Sequence, residues 1–511
     1  MAKRHRHILL PTVSVALLLA GCFVGVEPVF GAPPSATTVA VDEAWERWNS
    51  GFLRELAQTT EDPSLAALSL SAADFIDGNL KEAQERASTL PKDSPKWLKE
   101  RQGRLLDTVA SWIPVMERGA PVDTGDAGII LVCPPDEVSW CRAILPRIKG
   151  MKKEYSELLS LDPKRTLRII FVATRRDLSA VSQVPINQLE SSGTAAVTLF
   201  GTVFVLSPSF FEHGCLWLRI LGHEMVHWYV HPLWMGRAPT FLEEGLAMLL
   251  EDVGLGEGIR GLESMERALL QLAHERNLLA TQEDLLKPFW HFQSGLTARV
   301  AFLQSMLLVR EVVRQLDGDP VATLVDSIAD SEDWQKTLKE LTRWSWKRLW
   351  SRARSRWRGE SSREELTAFL FWDAREYLSD RQTKQIDEGR ETVLLGDFLW
   401  GQSQNSAALR VYFRLPQVLQ ESPDVAWRIG RLLLELERVS EATERLDRAL
   451  VLHPHDARLM YVAALCAEAL QEREEARKLA EGSWLVYPFA KEIVTMLERL
   501  KVLPDPGEGD G

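Results

Sequence analysis

Apolar positions fall into distinct textures along the 511-residue chain. Over 41–120 they recur at helical spacing. Trp45, Trp48, Phe52 and Leu53 share one face, and Leu80 to Ala87 repeats the pattern, which predicts a small N-terminal helical domain. From Gly128 the period shortens. Ile129 to Val132 is a short apolar run ended by Pro134 and Pro135; Leu167 to Ala173 is a second and Thr202 to Leu206 a third. Each has the length and branched content of a buried strand. Helices are predicted over 137–160 and from about Leu216 to Val230. His231-Pro232 closes the second, because a residue before proline avoids the helical region. Strand, helix, strand, strand, helix is an α+β order, predicting a small mixed sheet. Residues 240–358 return to helical periodicity, with breaks at Gly254–Gly258, Pro288, Gly295 and Gly318–Pro320.

The last part of the chain repeats. Ala408, Ala442 and Ala476 are spaced by 34, as are Gly396, Gly430 and Ala464, and Pro454 and Pro488. Small residues at that period, where paired helices would cross, resemble the tetratricopeptide repeat. An all-α array is expected over 389–490, with a tail at 491–511. Such an array serves either as a groove for a protein partner or as a packing and oligomerisation surface.

Composition narrows the class. Hydrophobic residues make up 45% and charged residues 26%, the profile of a globular chain of more than one domain. The formal charge of -12 argues against nucleic acid as a partner, since a polyanion is repelled over most of such a surface.

The first 22 residues have the layout of an export signal: Lys3, Arg4 and Arg6, then an apolar Ile8 to Ala20 too short to span a bilayer comfortably. Leu19-Ala20-Gly21-Cys22 resembles a bacterial lipobox, which implies lipidation of Cys22 and anchoring to a membrane. Ordinary cleavage near Ala32, giving a periplasmic or secreted product, and an uncleaved anchor are the alternatives. Residues 23–40, rich in Pro, Ala, Gly and Thr, are expected to be a linker. Cys133 and Cys141 lie eight apart across a strand-to-helix turn; a disulfide in an oxidising compartment and a pair of buried thiols both fit.

The sharp chemical signal is His223-Glu224-Met225-Val226-His227. Residues four apart on a helix share a face, so both imidazoles reach one ion, and zinc favours such nitrogen ligands. Glu224, next to the first ligand, is placed to act as general base on a water held at the metal. His231 lies two turns from His223, about 12 Å along the axis, too far to share the ion; a capping or solvent-facing role is expected.

Further on the chain reads Phe241-Leu242-Glu243-Glu244-Gly245-Leu246-Ala247, with Glu244 seventeen residues beyond His227. Strand, H-E-x-x-H helix, then aromatic-Leu-x-Glu-Gly-x-Ala resembles the gluzincins, most closely the peptidase-MA-like metallohydrolases. The resemblance covers 128–358. It implies Glu244 as third zinc ligand, leaves Glu243 in an outer or exposed role, and implies zinc-dependent hydrolysis of amide bonds in a peptide or protein substrate. It also matches Thr202–Leu206 to the edge strand that pairs with an extended peptide. Ala301-Phe302-Leu303-Gln304-Ser305 resembles a family helix that often reads Tyr-Ala-Gln-Ser, but with Phe302 in the aromatic place. If that tyrosine stabilises the oxyanion, His291 or Arg299 is the candidate replacement.

Residues 343–358 interleave tryptophan with arginine and lysine. Trp346, Trp350 and Trp357 share a helical face, as in a solvated helix docked by its tryptophans; an anionic membrane surface is the alternative partner. Two functions remain open: a zinc metallopeptidase of the cell envelope, and a catalytically inactive peptidase-like domain in a repeat scaffold lipoprotein.

Overall fold

A computed structural model describes residues 41–500 apart from 43, 46, 236, 290, 291, 293 and 361–379. Cys22 with the expected signal and linker, His291, and the tail beyond 500 lie outside the described residues. The fold is α+β, mostly helical, around one five-stranded mixed sheet. Its strands are β1 (Ala120–Val122), β2 (Ile129–Cys133), β3 (Leu167–Val172), β4 (Ala196–Leu199) and β5 (Thr202–Leu206), in the order β1-β2-β3-β5-β4. The three strands foreseen from the sequence are the central parallel ones; β1 and β4 flank them antiparallel. Both faces of β3 are buried, which is why Leu167 to Val172 carries no polar alternation beyond Arg168.

Two expectations need correction here. Thr202–Leu206 is not an edge strand, because it lies between β3 and β4. The edge is β4, which joins β5 through Phe200 and Gly201, both at positive φ (48° and 73°). Two such residues make the tight hairpin turn that matches strand twist, so one apolar stretch folds into two strands. The helix expected to stop at His231 instead runs through Pro232. Proline forfeits only its own N–H, and one more turn still closes with Met235 N–H donating to His231 O at 2.9 Å.

Helix α1 (Val138–Leu159) crosses from β2 to β3, and α2 (Trp217–Trp234) follows β5. Next come α3 (Thr240–Leu250), a 3-10 turn at Glu251–Leu255, α4 (Gly295–Val313) and α5 (Trp346–Glu360). The N-terminal helices between Ser50 and Arg118 pack on the sheet through Phe75, Trp112, Phe200 and Phe204, with Trp112 edge-on to Phe204 at 4.7 Å. One continuous apolar core runs from Val41 to Trp357. In α5 the tryptophans face inward: Trp346 stacks on Phe241 of α3 at 4.9 Å, and Trp357 is buried. Arg348 and Arg352 lie over Trp344, and Arg356 pairs with Glu311 of α4 at 2.5 Å.

The helices from Asp380 to Arg499 pack in pairs with their own cores. The 34-residue period is visible in the crossings. Gly396 faces the Tyr412 ring and Gly430 faces Leu446, while Ala464 and Ala480 occupy the same two positions in the next unit, both fully buried. Tyr412, Leu446 and Ala480 are themselves 34 apart, so partner size changes while crossing geometry persists. Among the described residues, no helix is long and apolar enough to cross a membrane.

Candidate metal centre

Helix α2 carries the histidine pair into the core; its residues from Trp217 to His231 are all buried. Three hydrogen bonds fix it against the sheet and its surroundings. Trp228 Nε1 donates to Gly201 O at 3.1 Å in the hairpin turn, Thr198 Oγ1 donates to the Glu224 carbonyl at 3.1 Å, and Arg165 donates to Trp228 O. Helix α3 brings Glu244 from the other side. Its approach depends on Gly245: a Cβ there would stand 2.4 Å from Ser305 O on α4, so only glycine lets the two helices cross this closely.

These elements bring His223, His227 and Glu244 together. His223 Nε2 is 3.4 Å and His227 Nε2 3.6 Å from the same oxygen, Glu244 Oε2. The three donor atoms lie within 4.8 Å of one another, the only such group of three or more among the described residues. A zinc ion with bonds of about 2.1 Å in tetrahedral geometry sets neighbouring ligand atoms about 3.4 Å apart, which the two histidine-to-Glu244 separations match. All three atoms are buried without a hydrogen bond. Stranding three polar atoms costs free energy that a metal ion or a proton shared between them recovers. The donor set and its geometry therefore suit a divalent metal.

Glu224 divides its work between its two oxygens. Oε2 accepts from Thr198 Oγ1 at 2.5 Å, while Oε1 is buried and free of hydrogen bonds. Burial raises the Glu224 pKa above the usual carboxylate value, against the pull of His227, His223 and Thr198. Burial also opposes ionisation of Glu244, yet His227 and His223 hold it below the ordinary range. The two carboxylates are thus driven in opposite directions, one poised to take a proton and one kept as an anionic donor. Burial alone would depress His223, but Glu244 and Glu251 on its two nitrogens push it up to about 9. A proton and a metal compete for that place.

Two contributors escape the motif. Thr198 lies on β4, the strand missed within one longer apolar run; Phe200-Gly201 between two branched stretches is the signal that marks it. Glu251 accepts from His223 Nδ1 at 3.2 Å, so a carboxylate orients the imidazole from behind. The signal for Glu251 is Arg219, one turn before His223 on an apolar helix, since a buried guanidinium requires carboxylates.

His231 is outside the ligand group, as expected from axial distance. It is not solvent-facing, however: it is buried, stacked on Trp48 at 5.0 Å, with Nδ1 3.3 Å from Glu243 Oε2. The cause is α2 itself, which is enclosed on all sides up to that turn. Glu243 is partly buried in that pair. Phe302 packs edge-on to His223, ring centres 6.4 Å apart, and presents no hydroxyl. Arg299, one turn earlier, lines the same cleft as Phe302. Cys133 and Cys141 are both buried free thiols. No known protein family matches the chain, and no curated protein matches it in sequence.

Proposed function

We propose that this protein is a zinc-dependent metallopeptidase of gluzincin type, held by His223, His227 and Glu244, that hydrolyses amide bonds in proteins of the bacterial cell envelope. One observation carries the reading: three buried donor atoms without hydrogen bonds converge at tetrahedral spacing beside the unbonded Oε1 of Glu224. The resemblance of His223–His227 and Phe241–Ala247 to the peptidase-MA-like metallohydrolases points the same way. The resemblance of residues 1–22 to an export signal with a lipobox at Cys22 supports an envelope location.

When bound, a zinc ion supplies polarisation of an amide carbonyl and acidifies water beside it. Glu224 Oε1 accepts the proton of that water as it attacks, then returns it to the leaving nitrogen. Thr198 occupies Oε2 throughout, leaving one oxygen for the chemistry. The test is turnover of a peptide library by wild type and by Glu224→Gln. Loss of at least about 1000-fold with zinc retained supports the reading, and equal rates overturn it.

One observation favours a second reading, an inactive peptidase-like domain in a repeat scaffold: Phe302 stands beside His223 where the resemblance implies a hydroxyl donor. Wild type that binds zinc and turns over no peptide meets that reading.

A further inference from the structure

The C-terminal array does not hang free of the metal domain; it touches it at two places, and both lead to His223. The first is the start of α2. Cys215 N–H donates to Val486 O of the array at 2.9 Å, two residues before the helix begins. Gly214, at φ +76°, lies so close that a Cβ would stand 2.2 Å from Val486 O. Phe489, just beyond, packs at a tilt on Trp140, ring centres 5.4 Å apart, and Trp140 is edge-on to Trp217 in the first turn of α2 at 5.3 Å.

The second place is a buried ionic cluster. His455, in a turn of the array, has Nε2 3.8 Å from Glu263 Oε1. That oxygen forms an ion pair with Arg219 at 2.6 Å, and Arg219 also bonds Asp252 at 2.6 Å. Arg260 pairs with Glu251 at 2.9 Å, and Glu251 Oε2 holds His223 Nδ1 at 3.2 Å. A carboxylate only accepts, so Glu251 keeps a proton on His223 Nδ1 and leaves Nε2 as the nitrogen that would face a metal. Glu251 can stay buried and anionic only while its guanidinium partners stay in register, since an unpaired buried charge is expensive.

We propose that the helical array is a positioning element of the metal centre: it pins the first turn of the His223–His227 helix and packs His455 against the ionic cluster that holds Glu251 on His223. This rests on the reading that His223, His227 and Glu244 bind a metal. The array is then a working part of the metal site rather than an independent peptide groove. Orienting partners of a metal-bound histidine change affinity by about 10- to 100-fold, and that is the scale expected for Glu251.

The experiment compares full-length wild type, Glu251→Gln, Gly214→Ala, Phe489→Leu and, as control, Arg499→Ala at the end of the last helix, where Arg499 pairs with the half-buried Glu468. Zinc affinity is read by chelator competition, and ligand geometry by the visible bands of the cobalt(II) form. Glu251→Gln is expected to bind zinc about 10-fold more weakly, Gly214→Ala and Phe489→Leu at least about 3-fold more weakly, each with altered cobalt bands, while Arg499→Ala matches wild type. Should Gly214→Ala fail to fold, Phe489→Leu carries the array arm. Wild-type affinity and bands in Glu251→Gln, or in the array variants, overturn the proposal with the metal reading intact. A wild type that takes up neither metal overturns the metal reading itself.

Discussion

Thr198, on the edge strand, donates its hydroxyl to Glu224 Oε2 at 2.5 Å and to the Glu224 carbonyl at 3.1 Å, tying the candidate base to the sheet by side chain and backbone together. The pair leaves Oε1 as the one oxygen of Glu224 without a hydrogen bond.

Removing that hydroxyl therefore misplaces the base without touching a metal ligand. Thr198→Val is expected to lower turnover about 10-fold or more with zinc content unchanged, and to cost about 1 kcal/mol of stability. Thr198→Ser keeps the donor and should restore most of the rate. Steady-state kinetics of the two variants check this; Val and Ser behaving alike would contradict it.

Gly245 sets the distance at which Glu244 is delivered. A methyl group there meets the Ser305 carbonyl at 2.4 Å, and backbone on both helices leaves nothing soft to yield. Gly245→Ala should destabilise the protein by about 2 kcal/mol, seen as a lower denaturation midpoint, and weaken zinc binding in the same sample. A midpoint equal to wild type would show that α3 and α4 can separate freely.

Acidification should loosen the array first. Burial drives His453 down to about 4, although Asp456 and Asp424 favour its charged form and Arg458 opposes it; burial likewise lowers His455 and His213 nearby. An unfolded imidazole titrates near 6.5, so between about 6.5 and 4 the unfolded chain binds more protons than the folded one. The stability from the neutral histidine is fully present above that window and lost as pH falls through it. Denaturant midpoints from pH 8 to 4 should drop in wild type and drop less in His453→Gln. Parallel curves would contradict the assignment.

What the sequence disclosed followed from locality. His223, Glu224 and His227 occupy one helical face, so their spacing alone brings them together. Glu244 was reachable only through the resemblance of Phe241–Ala247 to the peptidase-MA-like segment, which implies the glutamate before glycine as third ligand. Thr198 was hidden, because β4 and β5 read as one apolar run until Phe200 and Gly201 adopt positive φ. Glu251 was hidden for another reason: it sits in a 3-10 turn with no periodicity, and its role appears only once Arg219 and Arg260 are seen around it. Docking of Val486 on Cys215 links residues 271 apart, a distance no local pattern spans.

The same limit shaped the array. Its 34-residue period follows from repeated small residues at crossings, legible in Gly396, Gly430 and Ala464. Its attachment rests on Gly214 and Phe489, which carry no repeat signal.

The central claim is that three side chains share one divalent ion, and metal content tests it most directly. Elemental analysis of protein purified and dialysed against trace zinc should find about one zinc per chain in wild type and in Glu224→Gln, and less than about a tenth of that in His227→Ala. Zinc absent from wild type, or unchanged in His227→Ala, would contradict the account.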